Sequence, residues 1–139
     1  MSRALDSAVA ALMRDTAERT LLKHYQRLGS DEVSNKAADD VVTIADTESE
    51  VMLAEGLAKI LPEAAIVGEE AAHADPAIFE RLSDKLCWII DPLDGTNNYA
   101  VGKPPFGILI ALAEKGETVA GWIYDPLNRS EERRVGKEC

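Results

Sequence analysis

The apolar positions of the first 28 residues recur every three or four positions, with charged side chains between them. This spacing, from Leu5 to Leu28, is that of an amphipathic α-helix and predicts one helix over residues 2–28. Gly29 comes directly after it and is a natural C-terminal stop. The chain is therefore expected to open with a long helix that buries one face.

A second helical pattern lies between Thr47 and Leu61. Thr47 and Glu50 have the spacing of a capping box, in which two side chains accept backbone N–H groups at the start of a helix. Pro62 follows the last apolar position and would end the helix. The polar, acidic segment 30–40 before it predicts a mobile loop or the tip of a hairpin.

Runs of apolar and β-branched residues around these helices are typical of strands. One of them, 86–90, is a continuous apolar run that suits a strand buried on both faces. A short helix is also expected around residues 76–83. The predicted strands are 41–44, 65–67, 86–90, 106–113 and 118–124.

The last eleven residues differ in character from the rest of the chain. Seven of the eleven are charged, one is aliphatic, and they show no alternation of polar and apolar positions. We therefore expect residues 129–139 to be frayed or to form a helical stub, and not to continue a sheet.

Composition narrows the class of protein. The chain has 139 residues, 46% of them hydrophobic, which fits one globular domain with a core. The formal net charge of −10 argues against unaided binding to nucleic acid or to anionic membranes. No apolar run approaches a membrane span and the N-terminus lacks the apolar core of a signal peptide, so we expect a cytoplasmic protein. Cys87 and Cys139 have neither a disulfide framework nor a zinc-ligand spacing.

The clearest candidate for chemistry begins where the strand at 86–90 ends. Asp91 and Asp94 follow it, with Pro92 between them and Gly95 directly after. Pro92 biases Asp91 towards an extended conformation, so both carboxylates can face one pocket. Two carboxylates held close repel unless a cation lies between them, and such oxygen ligands suit Mg²⁺ or Mn²⁺. Taken alone, the same residues are also typical of an ordinary turn.

Three carboxylate-bearing segments together give a more specific pattern. They occur in this order: Asp39-Asp-Val-Val-Thr-Ile-Ala-Asp46, Val67-Gly-Glu-Glu70 and Trp88-Ile-Ile-Asp-Pro-Leu-Asp-Gly-Thr96. They closely resemble the motifs of the inositol monophosphatase family, whose members are Mg²⁺-dependent, lithium-sensitive phosphatases. The resemblance covers residues 1–128.

The resemblance implies an α+β fold of the sugar-phosphatase type, a layered sandwich. Residues 1–128 would form its N-terminal, metal-binding half, with two long helices packed on a mostly antiparallel sheet. The C-terminal α/β half would be absent, and residues 129–139 would be a charged, disordered tail outside the family. Family members are commonly dimers, so the full-length form is expected to be a homodimer.

The resemblance also implies a set of metal ligands. Glu70 would bind a first Mg²⁺ together with Asp91 and the backbone carbonyl of Leu93. Asp91 would bridge to a second Mg²⁺ that Asp94 also holds. Two or more Mg²⁺ ions, or Mn²⁺ in their place, would be the cofactor.

The same resemblance assigns catalytic and substrate-binding roles. Thr96 and Glu70 would position and activate a metal-bound water as the nucleophile, with Asp46 hydrogen-bonded to Thr96 behind it. The phosphate ester would be held by residues from two segments: Asp94, Gly95, Thr96 and, from the loop at 30–40, Lys36.

The implied function is Mg²⁺-dependent hydrolysis of an inositol monophosphate or a related sugar phosphate. The partner would be a small phosphate ester, with no nucleic acid polymer and no membrane. Two alternatives stay open: a 3′(2′),5′-bisphosphate nucleotidase or fructose-1,6-bisphosphatase of the same superfamily, and a catalytically silent metal-binding fragment.

Overall fold

The fold combines helices, a two-stranded hairpin and a mixed five-stranded sheet. The computed structural model describes residues 3–37 and 40–135, with side chains except at 35–37, 40, 41, 134 and 135. The strands of the larger sheet lie in chain order, each beside the next. This is the α+β class that the sequence predicts. Within the described ranges, no helix is both long and apolar enough to cross a bilayer.

The first helix is shorter than predicted and changes its winding. Helix α1 covers Arg3–Thr16, a π-helical turn covers Ala17–Leu21, and the short α2, Leu22–His24, ends the helical run. Tyr25 already has an extended backbone, so the predicted stop at Gly29 is wrong by several residues. The predicted apolar stripe is largely correct: Val9, Thr16 and Leu21 are buried, and Leu5, Leu12, Tyr25 and Leu28 are partly buried against the core. Met13 and Ala17, which the predicted stripe did not include, are buried as well.

The second long helix, α3, begins earlier than predicted. It covers Ile44–Ile60, and Thr43 is its N-cap. The Asp46 carboxylate accepts the backbone N–H of Thr43 at 2.7 Å, so Thr43 and Asp46 form the capping box. The predicted box of Thr47 and Glu50 is therefore wrong, because both residues lie inside the helix.

The sheet is mostly antiparallel, as predicted. Strand β3 runs parallel to β4, and β4, β5, β6 and β7 pair antiparallel in succession. Helices α1 and α3 cover one face, where the buried core lies. The strand bounds are Ala65–Gly68 for β3, Cys87–Asp94 for β4, Gly107–Glu114 for β5, Glu117–Asp125 for β6 and Ser130–Val135 for β7.

The expectation of a disordered or helical tail at 129–139 is wrong for most of that segment. Residues 130–135 form β7, which pairs with β6 from Ala120↔Val135 to Asp125↔Ser130. An edge strand is held by backbone hydrogen bonds and can carry charged side chains on both faces, so it needs no apolar alternation. Residues 136–139 lie outside the described residues.

The segment 30–40, predicted as a mobile loop or hairpin tip, is largely a hairpin. Strand β1, Val33–Ala37, pairs antiparallel with β2, Asp40–Thr43. Two shorter α-helices are α4, Glu69–Ala74, directly after β3, and α5, Thr96–Ala100, directly after β4. The short helix predicted around residues 76–83 is a 3₁₀ helix, Pro76–Ser83.

Candidate active site

A bulge at the end of β4 brings two carboxylates to one side of the strand. Asp91 pairs with Leu109 of β5, but Asp94 pairs with Gly107, so β4 has one residue more than its partner over this stretch. Residues three apart in a regular strand face opposite sides, and an extra residue reverses that. Pro92, at the bulge, lacks an N–H and needs no ladder partner there.

Beyond the bulge lies an open hollow of about 290 Å³. Three elements meet there. Strand β4 supplies Asp91 and Asp94, helix α4 supplies its first residue, Glu69, and helix α5 supplies its N-terminal end. The lining residues are Glu69, Asp91, Leu93, Asp94, Gly95, Thr96, Asn97 and Asn98. The hollow thus gathers carboxylates beside the start of a helix, and Asp91 and Asp94 face one pocket, as predicted.

The carboxyl group of Asp91 is strongly perturbed in this hollow. Burial raises its pKa to about 8, with further upward contributions from a hydrogen bond with Glu69 and from the charges of Glu69 and Asp94. A backbone hydrogen bond from Leu93 opposes the shift. A hydrogen bond between two carboxyl groups requires a proton, so Asp91 and Glu69 share one near neutral pH.

The glutamate on the hollow is Glu69, and not Glu70 as the resemblance implied. Glu69 lines the hollow and contacts Asp91, whereas Glu70 is not among the lining residues. The two are the first residues of α4, and successive residues of a helix point about 100° apart. The backbone N–H of Glu70 instead donates to Glu50 Oε1 at 2.7 Å. We therefore carry the glutamate roles predicted for Glu70 to Glu69.

Thr96 and Asp46 are in direct contact, as the resemblance implied. The Thr96 hydroxyl lies 2.9 Å from Asp46 Oδ2 and 2.9 Å from the Leu93 carbonyl oxygen, and it can donate to either. The other oxygen of Asp46 accepts the hydroxyl and the N–H of Thr43, each at 2.7 Å. The capping residue of α3 is thereby tied to the first residue of α5.

Gly95 makes the turn from β4 into α5 possible. Its φ of +85° lies in the left-handed region that favours glycine. A Cβ at this position would stand 2.6 Å from the Pro105 carbonyl oxygen. The same carbonyl accepts the Asn98 side-chain amide at 3.0 Å, which fixes α5 against the segment before β5.

Two further α3 side chains contact the site segments, and sequence reasoning gave them no role there. The Ser49 hydroxyl donates to the Pro92 carbonyl at 2.9 Å, and the Glu50 carboxylate accepts two N–H groups at the start of α4. Both are buried, as is Asp46. Their spacing places all three on one face of α3. The sequence signal for these contacts was a helix face that points into the protein and yet carries three polar residues.

Lys36 lies in β1 by its backbone, and its side chain is outside the described residues. Its predicted contact with the substrate therefore stays a prediction.

The donors of the hollow fit a hard divalent cation. Over residues 3–37 and 40–135, no three His, Cys, Asp or Glu side chains are gathered tightly enough to hold a metal as they stand. However, Asp91 Oδ1 is buried and has no hydrogen-bond partner among these residues. Carboxylate and carbonyl oxygens are the ligands that Mg²⁺ prefers. A cation in place of the proton shared by Asp91 and Glu69 would relieve the repulsion between them.

Comparison with known proteins places this chain in a family. A sequence model of the inositol monophosphatase family matches residues 2–136. The chain belongs to that family. The match runs past residue 128, so the family includes most of the segment that was expected to lie outside it.

Individual relatives agree with this assignment. The chain is 37% identical over 127 residues to the Nus factor SuhB of Haemophilus influenzae, covering 91% of this chain and 45% of the relative. It is 32% identical over 123 residues to the Nus factor SuhB of Escherichia coli K12, covering 88% and 43%. The chain thus spans less than half the length of these curated relatives.

Solved structures show the same fold. An IMPase of Thermotoga maritima superposes with a TM-score of 0.80 at 31% identity, covering 98% of this chain and 49% of that one. The extragenic suppressor protein SuhB of Bartonella henselae gives a TM-score of 0.78 at 30% identity, covering 96% and 50%. The described residues therefore have the fold of about half of each of these chains.

Proposed function

We propose that this chain carries the metal and phosphate site of a Mg²⁺-dependent phosphatase that hydrolyses a phosphate monoester. The observation that carries the proposal is the hollow itself. Glu69, Asp91 and Asp94 line it together, and the hydrogen-bonded pair of Thr96 and Asp46 lies at its edge. Membership of the inositol monophosphatase family supports the same chemistry.

The residues that would hold Mg²⁺ are Glu69, Asp91, the carbonyl of Leu93, and Asp94. Bound Mg²⁺ would supply neutralisation of the phosphoryl oxygens and a lowered pKa for a water molecule. The carboxylates would fix where the cation lies. Because Asp91 holds a proton near neutral pH, that proton must leave when the cation binds.

The Thr96 hydroxyl has two acceptors within hydrogen-bond distance in this site. Its proton points to Asp46 Oδ2 or to the Leu93 carbonyl, both of which lie 2.9 Å away and are acceptors. The hydroxyl oxygen is then left to accept a hydrogen bond from a water molecule in the hollow. Thr96 would thus orient the attacking water, with Asp46 setting the direction of the Thr96 proton.

We propose an inositol monophosphate or a related sugar phosphate as the substrate. Asp94, Gly95, Thr96 and Lys36 are the proposed substrate contacts. A 3′(2′),5′-bisphosphate nucleotidase or fructose-1,6-bisphosphatase remains the alternative within the superfamily. A panel of inositol 1-phosphate, 3′-phosphoadenosine 5′-phosphate and fructose 1,6-bisphosphate separates them, with fastest phosphate release expected from the first.

The site is tested by phosphate release from inositol 1-phosphate during a Mg²⁺ titration. Asp91→Asn should abolish Mg²⁺-dependent release, since it removes a charge that the cation needs. Asp84→Asn, which changes an exposed aspartate away from the hollow, should leave it unchanged. Mg²⁺ binding without turnover would favour a catalytically silent metal-binding fragment. Turnover that ignores Mg²⁺ or Asp91→Asn would contradict the proposed site.

A second candidate function is that of a Nus factor, because the relatives carry the name Nus factor SuhB. Any such role would require partners other than the small phosphate ester. The net charge of −10 disfavours direct contact with nucleic acid. We therefore expect no shift of labelled single-stranded RNA in a mobility assay at physiological salt, and a shift would favour this second function.

A further inference from the structure

One face of α3 contacts every segment that forms the hollow. Asp46 reaches α5 through Thr96, and Ser49 reaches the β4 bulge through the carbonyl of Pro92. Glu50 reaches the start of α4, the helix that carries Glu69. The three contacts come from one rigid helix, so they fix the relative positions of the three segments.

Glu50 contacts α4 through both oxygens of its carboxylate. Glu50 is only 8% exposed, and burial of a charge is costly unless it is paired or hydrogen-bonded. Oε1 accepts the backbone N–H of Glu70 at 2.7 Å, and Oε2 accepts that of Ala71 at 2.8 Å. These are among the N–H groups that a helix leaves without internal partners at its N-terminus, where negative charge is also favoured.

The chain leaves room for this carboxylate by placing a glycine opposite it. A Cβ on Gly68 would stand 2.4 Å from the carboxyl carbon of Glu50. Gly68 has a φ of −100°, which any residue can adopt, so the requirement here is for space and not for backbone conformation. Gly68 is also the residue directly before Glu69. The carboxylate therefore lies against Gly68, the residue before Glu69, and is hydrogen-bonded to Glu70 and Ala71, the two residues after it.

We propose that Glu50 is a positioning residue that holds Glu69 against Asp91. It does not line the hollow, and it acts by fixing the first turn of α4. This inference rests on the proposed function, because the geometry it protects is that of the proposed Mg²⁺ site. Residues that orient metal ligands typically change metal affinity by about 10- to 100-fold when they are mutated.

The test compares Glu50→Gln with Glu55→Gln. Gln at position 50 keeps the size of the side chain, but its NH₂ group faces a backbone N–H, so one of the two contacts is lost. Glu55 is an exposed glutamate of the same helix and serves as the matched control. The Mg²⁺ dissociation constant, measured by calorimetry, should rise about tenfold or more in Glu50→Gln and stay at the wild-type value in Glu55→Gln.

A metal-free measurement makes the inference testable separately from the function. In Glu50→Gln, amide hydrogen exchange at Glu70 or Ala71 should accelerate, and the carboxyl carbon resonances of Glu69 and Asp91 should shift at constant pH. Unchanged resonances with accelerated exchange would overturn the positioning role, since α4 would then have loosened without moving Glu69. Absence of Mg²⁺ binding by the wild type would instead contradict the proposed function. The metal-free exchange rates and resonances would then still decide whether Glu50 positions Glu69.

Gly68→Ala provides a second variant that keeps the charge of Glu50. The added Cβ would push the carboxylate away from the N–H groups, so it should shift the Glu69 and Asp91 resonances as Glu50→Gln does. Thermal melts of the metal-free variants show whether each is folded under the conditions of the measurement. A folded Gly68→Ala or Glu50→Gln variant with wild-type resonances and wild-type Mg²⁺ affinity would overturn the proposal.

Discussion

At the scale of single residues, Asp91 should make the stability of the metal-free chain fall as pH rises. Its pKa is raised from 3.8 to about 8 in the folded chain, chiefly by burial, so the folded state binds this proton more tightly than the unfolded state. The resulting stabilisation is complete below about pH 3.8 and is lost as pH rises through about 8. Urea denaturation at a series of pH values measures it.

The control for this prediction is Asp91→Asn, which cannot titrate. The free energy of unfolding of the wild type, relative to that of Asp91→Asn, should decrease between about pH 5 and about pH 9. Mg²⁺ should oppose the decrease, because a cation stabilises the ionised carboxylate. A wild-type pH profile parallel to that of Asp91→Asn would mean that Asp91 has an ordinary pKa in the folded chain.

Most of the residues predicted for the site lie at the hollow, but Glu69 lines it where Glu70 was predicted. Asp91, Asp94 and Thr96 line the hollow, and Asp46 contacts Thr96. Glu69 and Glu70 are adjacent, and the residue at which α4 begins determines which of the two side chains faces Asp91. In the first turn of α4 the backbone N–H of Glu70 donates to Glu50, twenty positions away, a contact that a short motif does not reveal.

At the scale of elements, the turn from β4 into α5 depends on Gly95. Gly95 and Gly116 have the same φ of +85°, but a Cβ on Gly116 would meet nothing within 4 Å. Gly116→Ala should therefore cost only the left-handed conformation, about 1–2 kcal/mol. Gly95→Ala should cost about 1–3 kcal/mol more, because its Cβ would also meet the Pro105 carbonyl oxygen. Urea denaturation of the two variants gives the comparison, and equal losses would contradict the close approach.

The periodic elements were predictable, and their ends were not. The buried stripe of α1 and the strands β3 to β6 follow from the spacing of apolar residues. The start of α3 was misplaced because both Thr43 and Thr47 are followed three residues later by an acid, and the sequence does not rank the two boxes. Strand β7 was missed because its pairing with β6 uses backbone groups, which leave no side-chain pattern.

At the scale of the whole molecule, one face of the sheet is only partly covered. The 3₁₀ helix Pro76–Ser83 and α4 pack over β3 and β4 there and form a small second cluster. The core fills the space between the sheet and helices α1 and α3. On the other face, side chains of β4, β5 and β6 border an apolar depression of about 360 Å³, among them Ile89, Leu109, Ala111 and Ile123. Ile123 is 49% exposed there. Contiguous apolar surface of this kind favours self-association in water.

We therefore expect the isolated chain to associate through this face as its concentration rises. Ile123→Glu should reduce the apparent mass measured by light scattering at high concentration, because it places a charge in the middle of the apolar surface. Phe79→Glu is the matched control, since Phe79 is 53% exposed, lies in the 3₁₀ helix Pro76–Ser83 and does not line the depression. Both substitutions exchange an exposed apolar side chain for the same acid, so they change net charge equally. An equal reduction by the two variants would assign the effect to charge alone, and no reduction by Ile123→Glu would show that the chain associates elsewhere.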